Sequence, residues 1–136
     1  MPSIKVDIDA IEWTPGSVYK GPEATYRRHE MFYRKILSDR RPEGGGLAVL
    51  SKVSPPPGKL IKIVAVARSD EHVITLSGGR ATKSGRPIAA PDDYVLNPNG
   101  QPHSAIIATE TTALVIYSGE TDEVKSVEIL DLEPEH

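Results

Sequence analysis

Turn-forming residues interrupt this chain so often that an architecture of long helices is ruled out. Twelve prolines and eleven glycines are spread over 136 residues, and each one inside a helix costs roughly 1–3 kcal/mol. Between the breaks lie short apolar stretches rich in Val, Ile and Tyr, at 4–8, 32–37, 47–53, 60–67, 73–76, 94–96, 105–108 and 113–117. Turn chemistry bounds them: Pro55-Pro56-Pro57-Gly58, Gly78-Gly79, Ser84-Gly85, Asn97-Pro98-Asn99-Gly100 and Ser118-Gly119. Short strands with such punctuation indicate a β-sandwich or barrel. Only the stretch 23–36 leaves helix and strand ambiguous by periodicity.

The stretch 60–67 carries Ile61, Ile63, Ala65 and Ala67 on one face and Leu60, Lys62, Val64 and Val66 on the other. A strand apolar on both faces is expected to be covered on both, by the barrel interior and by a second sheet or another subunit. The length fits one domain, 1–136. Within it, 45–118 reads as the barrel core and 1–44 as lead-in strands. The acidic C-terminal tail, 119–136, is able to add an edge strand or to exchange with a partner chain.

Sixteen Lys and Arg against nineteen Asp and Glu give a net charge of -3, which argues against a nucleic-acid partner. The run Arg27-Arg28-His29 reads as a solvated face rather than an anion site. With no cysteine, disulfides, thiolate nucleophiles and Cys-based zinc sites are excluded. No apolar run approaches the roughly 18–20 residues needed to span a bilayer, and the first ten residues carry Lys5, Asp7 and Asp9 instead of a signal-peptide core. The expected location is cytoplasmic. Trp13 is expected to plug one end of the barrel, and His136 to be disordered.

The most informative segment is Pro98-Asn99-Gly100-Gln101-Pro102-His103, of the form P-x-G-x-x-H after the apolar Tyr94-Val95-Leu96. Proline fixes φ and glycine admits positive φ, so the pattern is a tight turn that delivers a histidine to the next strand. It resembles the second motif of the cupin superfamily, G-x5-P-x-G-x2-H-x3-N. Upstream, Glu71 stands seven residues before Gly78, and this segment resembles the latter half of the first cupin motif, H-x-H-x3-4-E-x6-G. The Pro55–Gly58 turn is similar to the turn that leads many cupins into that motif. Trp13-Thr14-Pro15-Gly16 with Tyr33-Arg34-Lys35-Ile36-Leu37 resembles the lead-in of the ChrR-type and acetylacetone dioxygenase-like cupins. The resemblance implies an all-β, single-domain cupin, RmlC-like: a double-stranded β-helix or jelly-roll barrel, commonly a homodimer.

The sequence departs from the family at the metal ligands. Counting back from Glu71, the two first-motif histidine positions hold Ala65 and Ala67, or Val64 and Val66 with the longer spacer, and Ile107 stands in place of the second-motif asparagine. Glu71 and His103 remain. Two donors make a poor transition-metal site, so no cofactor is expected; a divalent transition metal, if held, would be held by Glu71 and His103. His72 is expected to face away because adjacent strand residues alternate, and nothing places His29.

The alanines imply an enlarged, more apolar pocket for a small organic molecule, with Ala65, Ala67, Arg68 and Tyr33 as its binding residues. Glu71 and His103, with Tyr94, are the expected acid/base groups of a metal-independent enzyme, an isomerase or cyclase working by proton transfer, as in the sugar-nucleotide epimerases of the superfamily. The alternatives are a non-catalytic ligand-binding, sensor or accessory cupin, in which Glu71 and His103 are a residual ion pair, and a metal-dependent dioxygenase.

Overall fold

A computed structural model describes residues 2–88 and 91–133 of the chain; the expectation for His136 falls outside them. Among the described residues the strands are β1 (Thr14–Pro15), β2 (Thr25–Tyr26), β3 (His29–Glu30), β4 (Phe32–Asp39), β5 (Leu47–Val53), β6 (Lys59–Val66), β7 (Glu71–Ser77), β8 (Tyr94–Asn97), β9 (Pro102–Ile107), β10 (Thr111–Tyr117) and β11 (Glu123–Asp131). One helical turn, α1 (Gly16–Tyr19), follows β1. From 32 onward the expected strands are present with ends shifted by a few residues. The ambiguous stretch 23–36 is extended, in β2, β3 and the start of β4. Ile4–Ile8 forms no strand despite its alternation; Ile4, Val6 and Ile8 are exposed, so no sheet covers its apolar side.

Two antiparallel sheets face each other, ordered β1-β4-β5-β10-β7-β8 and β11-β6-β9. From β5 the chain crosses between them repeatedly, which is what closes a jelly roll. Alternation sorts the side chains. On β5 and β10, Leu47, Val49, Ala113 and Val115 are buried together, with Val73 and Tyr117 packed against them. Ile61 of β6 packs with Ala24, Met31 and Phe32, joined by Ile63, Val127 and Ile129.

The tail pairs within the chain: β11 runs antiparallel to β6 from Glu123↔Val66 to Asp131↔Lys59 and forms the edge strand of the smaller sheet. The middle strand β6 buries Leu60, Ile61 and Ala65, and leaves Val64 and Val66 only half-buried on its other face. Trp13 does not plug the barrel. The Nζ atoms of Lys35 and Lys52 lie 4.9 and 4.5 Å from its ring, on the outer face of β4 and β5, because the inward residues of these strands are Arg34 and Ser51.

Candidate active site

The site is built at one end of the barrel, where strands of both sheets begin or finish. Pro98-Asn99-Gly100-Gln101 makes the expected turn: the Gln101 amide donates to the Pro98 carbonyl at 3.1 Å, and Gly100 has φ +84°. That turn starts β9 with His103 beside Ala65 of β6. Across the barrel, Glu71 opens β7 between Asn97 of β8 and Tyr117 of β10. All of these point inward.

His103 Nε2 lies 2.7 Å from Asp122 Oδ2 and 3.7 Å from Glu71 Oε1. Both carboxylates are more than nine-tenths buried, at 9% and 8% side-chain exposure, and the imidazole is at 23%. Asn97 Nδ2 donates to Glu71 Oε1 at 2.7 Å, and the Tyr117 hydroxyl also donates to Glu71. Burial pushes the Glu71 carboxyl above the usual carboxylate range, and the Asp122 charge adds to this; Asn97, His103 and Tyr117 oppose it. Burial likewise raises the Tyr117 phenol, as do the Glu71 and Asp122 charges, so it stays a hydrogen-bond donor.

Asp122 reaches the site on the loop between β10 and β11. Ser69 Oγ donates to the Glu120 carbonyl at 2.7 Å, Arg68 Nε to the Thr121 carbonyl at 2.8 Å, and Asp70 N to Ser118 Oγ at 3.0 Å. These bonds from the β6–β7 connection fix the loop independently of its carboxylate. Arg68, expected at the pocket rim, is thus a support for the Asp122 loop. Ala65 and Ala67 are buried at 2% and 1%, with Ala65 directly beside His103.

Tyr94 is not brought to the site. It stands three residues before the inward Asn97, so it projects from the opposite face; it is 55% exposed and stacks on His72, whose Nδ1 is 2.7 Å from its hydroxyl. Tyr33 also lies on the outer face, beneath Lys52 Nζ at 4.5 Å. His29 donates from Nε2 to the Ser54 carbonyl at 2.9 Å and takes no part. Asn97, Tyr117 and Asp122 were missed by reading the sequence. Tyr117 and Asn97 were within reach of strand-pairing arguments, whereas Asp122 belongs to a loop whose path only the pairing of β11 with β6 reveals.

Comparison with solved structures settles what this architecture is. A protein of unknown function with a cupin-like fold from Ralstonia eutropha matches with a TM-score of 0.63 at 18% identity, over 91% of this chain and 77% of that one. The fold is that of a cupin. An RmlC-like cupin from Shewanella frigidimarina is similar over 88% of this chain and 93% of its own, at 12% identity and a TM-score of 0.60. The polyketide cyclase RemF from Streptomyces resistomycificus is similar over 98% and 88%, at 16% identity and a TM-score of 0.57. No family model matches the sequence, and no curated protein matches it. Among the described residues no helix is long and apolar enough to cross a membrane.

The cupin fold raises the question of a metal. One donor atom each from Glu71, His103 and Asp122 lies within 4.8 Å of the others. Asp122 Oδ1 is buried without a hydrogen-bond partner among the described residues. Three convergent donors, one of them unsatisfied, fit a divalent cation where Glu71 and His103 alone would not.

Proposed function

We propose that this cupin binds a small organic molecule at the end of its barrel that holds His103 and moves a proton on it, as an isomerase or cyclase does. The observation that carries this reading is His103 Nε2 set between two buried carboxylates, 2.7 Å from Asp122 and 3.7 Å from Glu71. Asp122 fixes the orientation of the imidazole. Glu71, held by Asn97 and Tyr117, is the second proton-transfer group, and its raised proton affinity brings it nearer to neutral pH, where acid/base work is most effective. Ala65 contributes a small apolar side chain beside His103, and the buried Ala67 lies against the turn that precedes it. A divalent ion held by Glu71, His103 and Asp122 would supply Lewis-acid polarisation of a ligand oxygen.

The test is a screen of small carbonyl and enol compounds, followed by NMR detection of C–H exchange of the bound ones in D2O. The expected result is binding and exchange with the natural chain, both lost in H103Q and both kept in H72Q. Exchange that survives H103Q would sink the proton-transfer role. Binding without exchange would favour the non-catalytic ligand binder.

The outer face of the larger sheet supports a homodimer. His72, Ile74 and Leu76 of β7, Tyr94 and Leu96 of β8 and Ile116 of β10 share it, with Leu76, Tyr94, Leu96 and Ile116 at 39–55% exposure. A second copy laid on this face would cover them. Light scattering should show a dimer that L96E separates; a monomeric natural chain would refute it.

A further inference from the structure

We infer that Asp122 completes a three-donor site for a divalent cation with Glu71 and His103, taking the place of the two imidazoles that Ala65 and Ala67 cannot supply. Three observations converge. The donor atoms of the three side chains lie within 4.8 Å of one another, so that small side-chain movements would bring all three within bonding distance of one ion. Asp122 is more than nine-tenths buried, and its Oδ1 has no hydrogen-bond partner among the described residues; an unmet buried acceptor costs about 1–3 kcal/mol, more when charged. The bonds from Arg68 and Ser69 to the carbonyls of Thr121 and Glu120 hold the loop from behind, so its carboxylate is presented whether or not His103 is bonded to it.

A purely structural role for the trio accounts for less. Two carboxylates are crowded around one imidazole in the barrel, with the Lys20 charge also acting on Asp122, and Oδ1 remains without a partner among the described residues. A dication answers both. The donor set is two carboxylate oxygens and one nitrogen, which suits borderline-hard ions such as Mn²⁺, Fe²⁺ or Zn²⁺ over soft ones. With an ion present, His103 Nε2 offers its lone pair and no longer donates to Asp122, so the ion decides whether chemistry here is centred on the metal or on the proton.

The experiment is titration of chelator-treated full-length protein with MnCl2 and with ZnCl2 by calorimetry, with Mn²⁺ line broadening followed by NMR. The expected result is saturable one-to-one binding, with broadening of His103 and of the loop around Asp122, and neither His29 nor His72 affected first. D122N should weaken binding by at least about tenfold, the lower end of what even an indirect partner of a metal ligand contributes, while H72Q leaves it unchanged. Absence of saturable binding, broadening centred on His29 or His72, or unchanged affinity in D122N would overturn the inference. If D122N fails to fold by circular dichroism, the broadening pattern of the natural chain decides alone. The inference rests on the barrel end being the site, as the proposed function does, but not on proton transfer there. Ion binding by a chain that takes up no organic molecule would uphold it and refute that function, and organic binding with no ion would do the reverse.

Discussion

Glu71 and His72 are neighbours in sequence and opposites in environment. The side chain of Glu71 is 8% exposed and meets Asn97, Tyr117 and His103, drawn from three other strands of both sheets. His72 turns to the outer face and meets one exposed tyrosine on the adjacent strand. Each residue sits beside an aromatic hydroxyl, yet only the inner cluster combines burial, opposing charge and convergence from both sheets. Proton affinity shifts where water is excluded and charges are crowded. One step along a strand thus separates a site from a surface.

The largest test of that inner and outer contrast is mechanical. Leu47 is 1% exposed in the inner cluster of β5, and Ile116 on the outer face of β10 is 39% exposed. L47A should cost about 2–5 kcal/mol by loss of transfer energy and cavity formation. In protein kept monomeric by dilution, I116A should cost less than about 1.5 kcal/mol. Urea unfolding measures both. Equal losses would mean that the outer face is covered within the chain and that the contrast is false.

A second test addresses charge. H103A leaves Glu71 and Asp122 facing each other without the intervening imidazole, and should cost about 2–3 kcal/mol in chelator-treated protein at neutral pH. This lies below the roughly 3–5 kcal/mol of a fully buried broken pair, because His103 retains 23% exposure. H72A removes an exposed contact and should stay within about 0.5 kcal/mol. Thermal melts of the two variants side by side give the comparison, and a similar fall in both would erase it. Between these in kind is the turn that delivers His103: G100A forces a Cβ into φ +84° and should cost about 1 kcal/mol, read from the same melts.

The fold was legible because its signals are local. Each strand from β4 to β10 is a short apolar run between turn residues, and the spacing of Glu71 from Gly78 and the turn before His103 place those two side chains on facing strands. The rest depended on register. Tyr94 sits close to the second motif in sequence, but its odd offset from Asn97 sends it to the opposite face, a parity that only the pairing of Glu71 with Asn97 reveals. Tyr33 was misplaced for the same reason. Asp122 is nineteen residues from His103 and fifty-one from Glu71, on a loop with no motif of its own. Its carboxylate arrives because β11 returns to pair with β6, a long-range event that no window of sequence encodes. Arg68 was expected among the binding residues, and its observed bonds are to the carbonyls of the Asp122 loop.

The finest test reads a slope in place of a midpoint. In metal-free protein, burial and the Asp122 charge hold the folded-state proton affinity of Glu71 above its ordinary value. Below the unfolded carboxylate pKa both states carry the proton and the group is neutral in its effect on stability. As pH rises past that point the unfolded chain releases the proton first, so the folded state binds more protons and stability falls with pH. Once pH exceeds the raised folded-state value, the loss is complete and the contribution levels off. A glutamine side chain cannot titrate, so E71Q should lack this fall, and its stability relative to the natural chain should climb through the window and then hold constant. Urea unfolding of both proteins with chelator present, from about pH 4 to pH 8, traces the difference. Burial and the Asp122 charge act in the same direction here, and D122N separates them: with the neighbouring charge removed, the window should narrow toward the ordinary carboxylate value without closing, since desolvation is the larger cause. Parallel profiles for E71Q and the natural chain would mean that water reaches Glu71 as freely as it reaches His72, and the distinction between the two faces of β7 would fail at the position where it matters most.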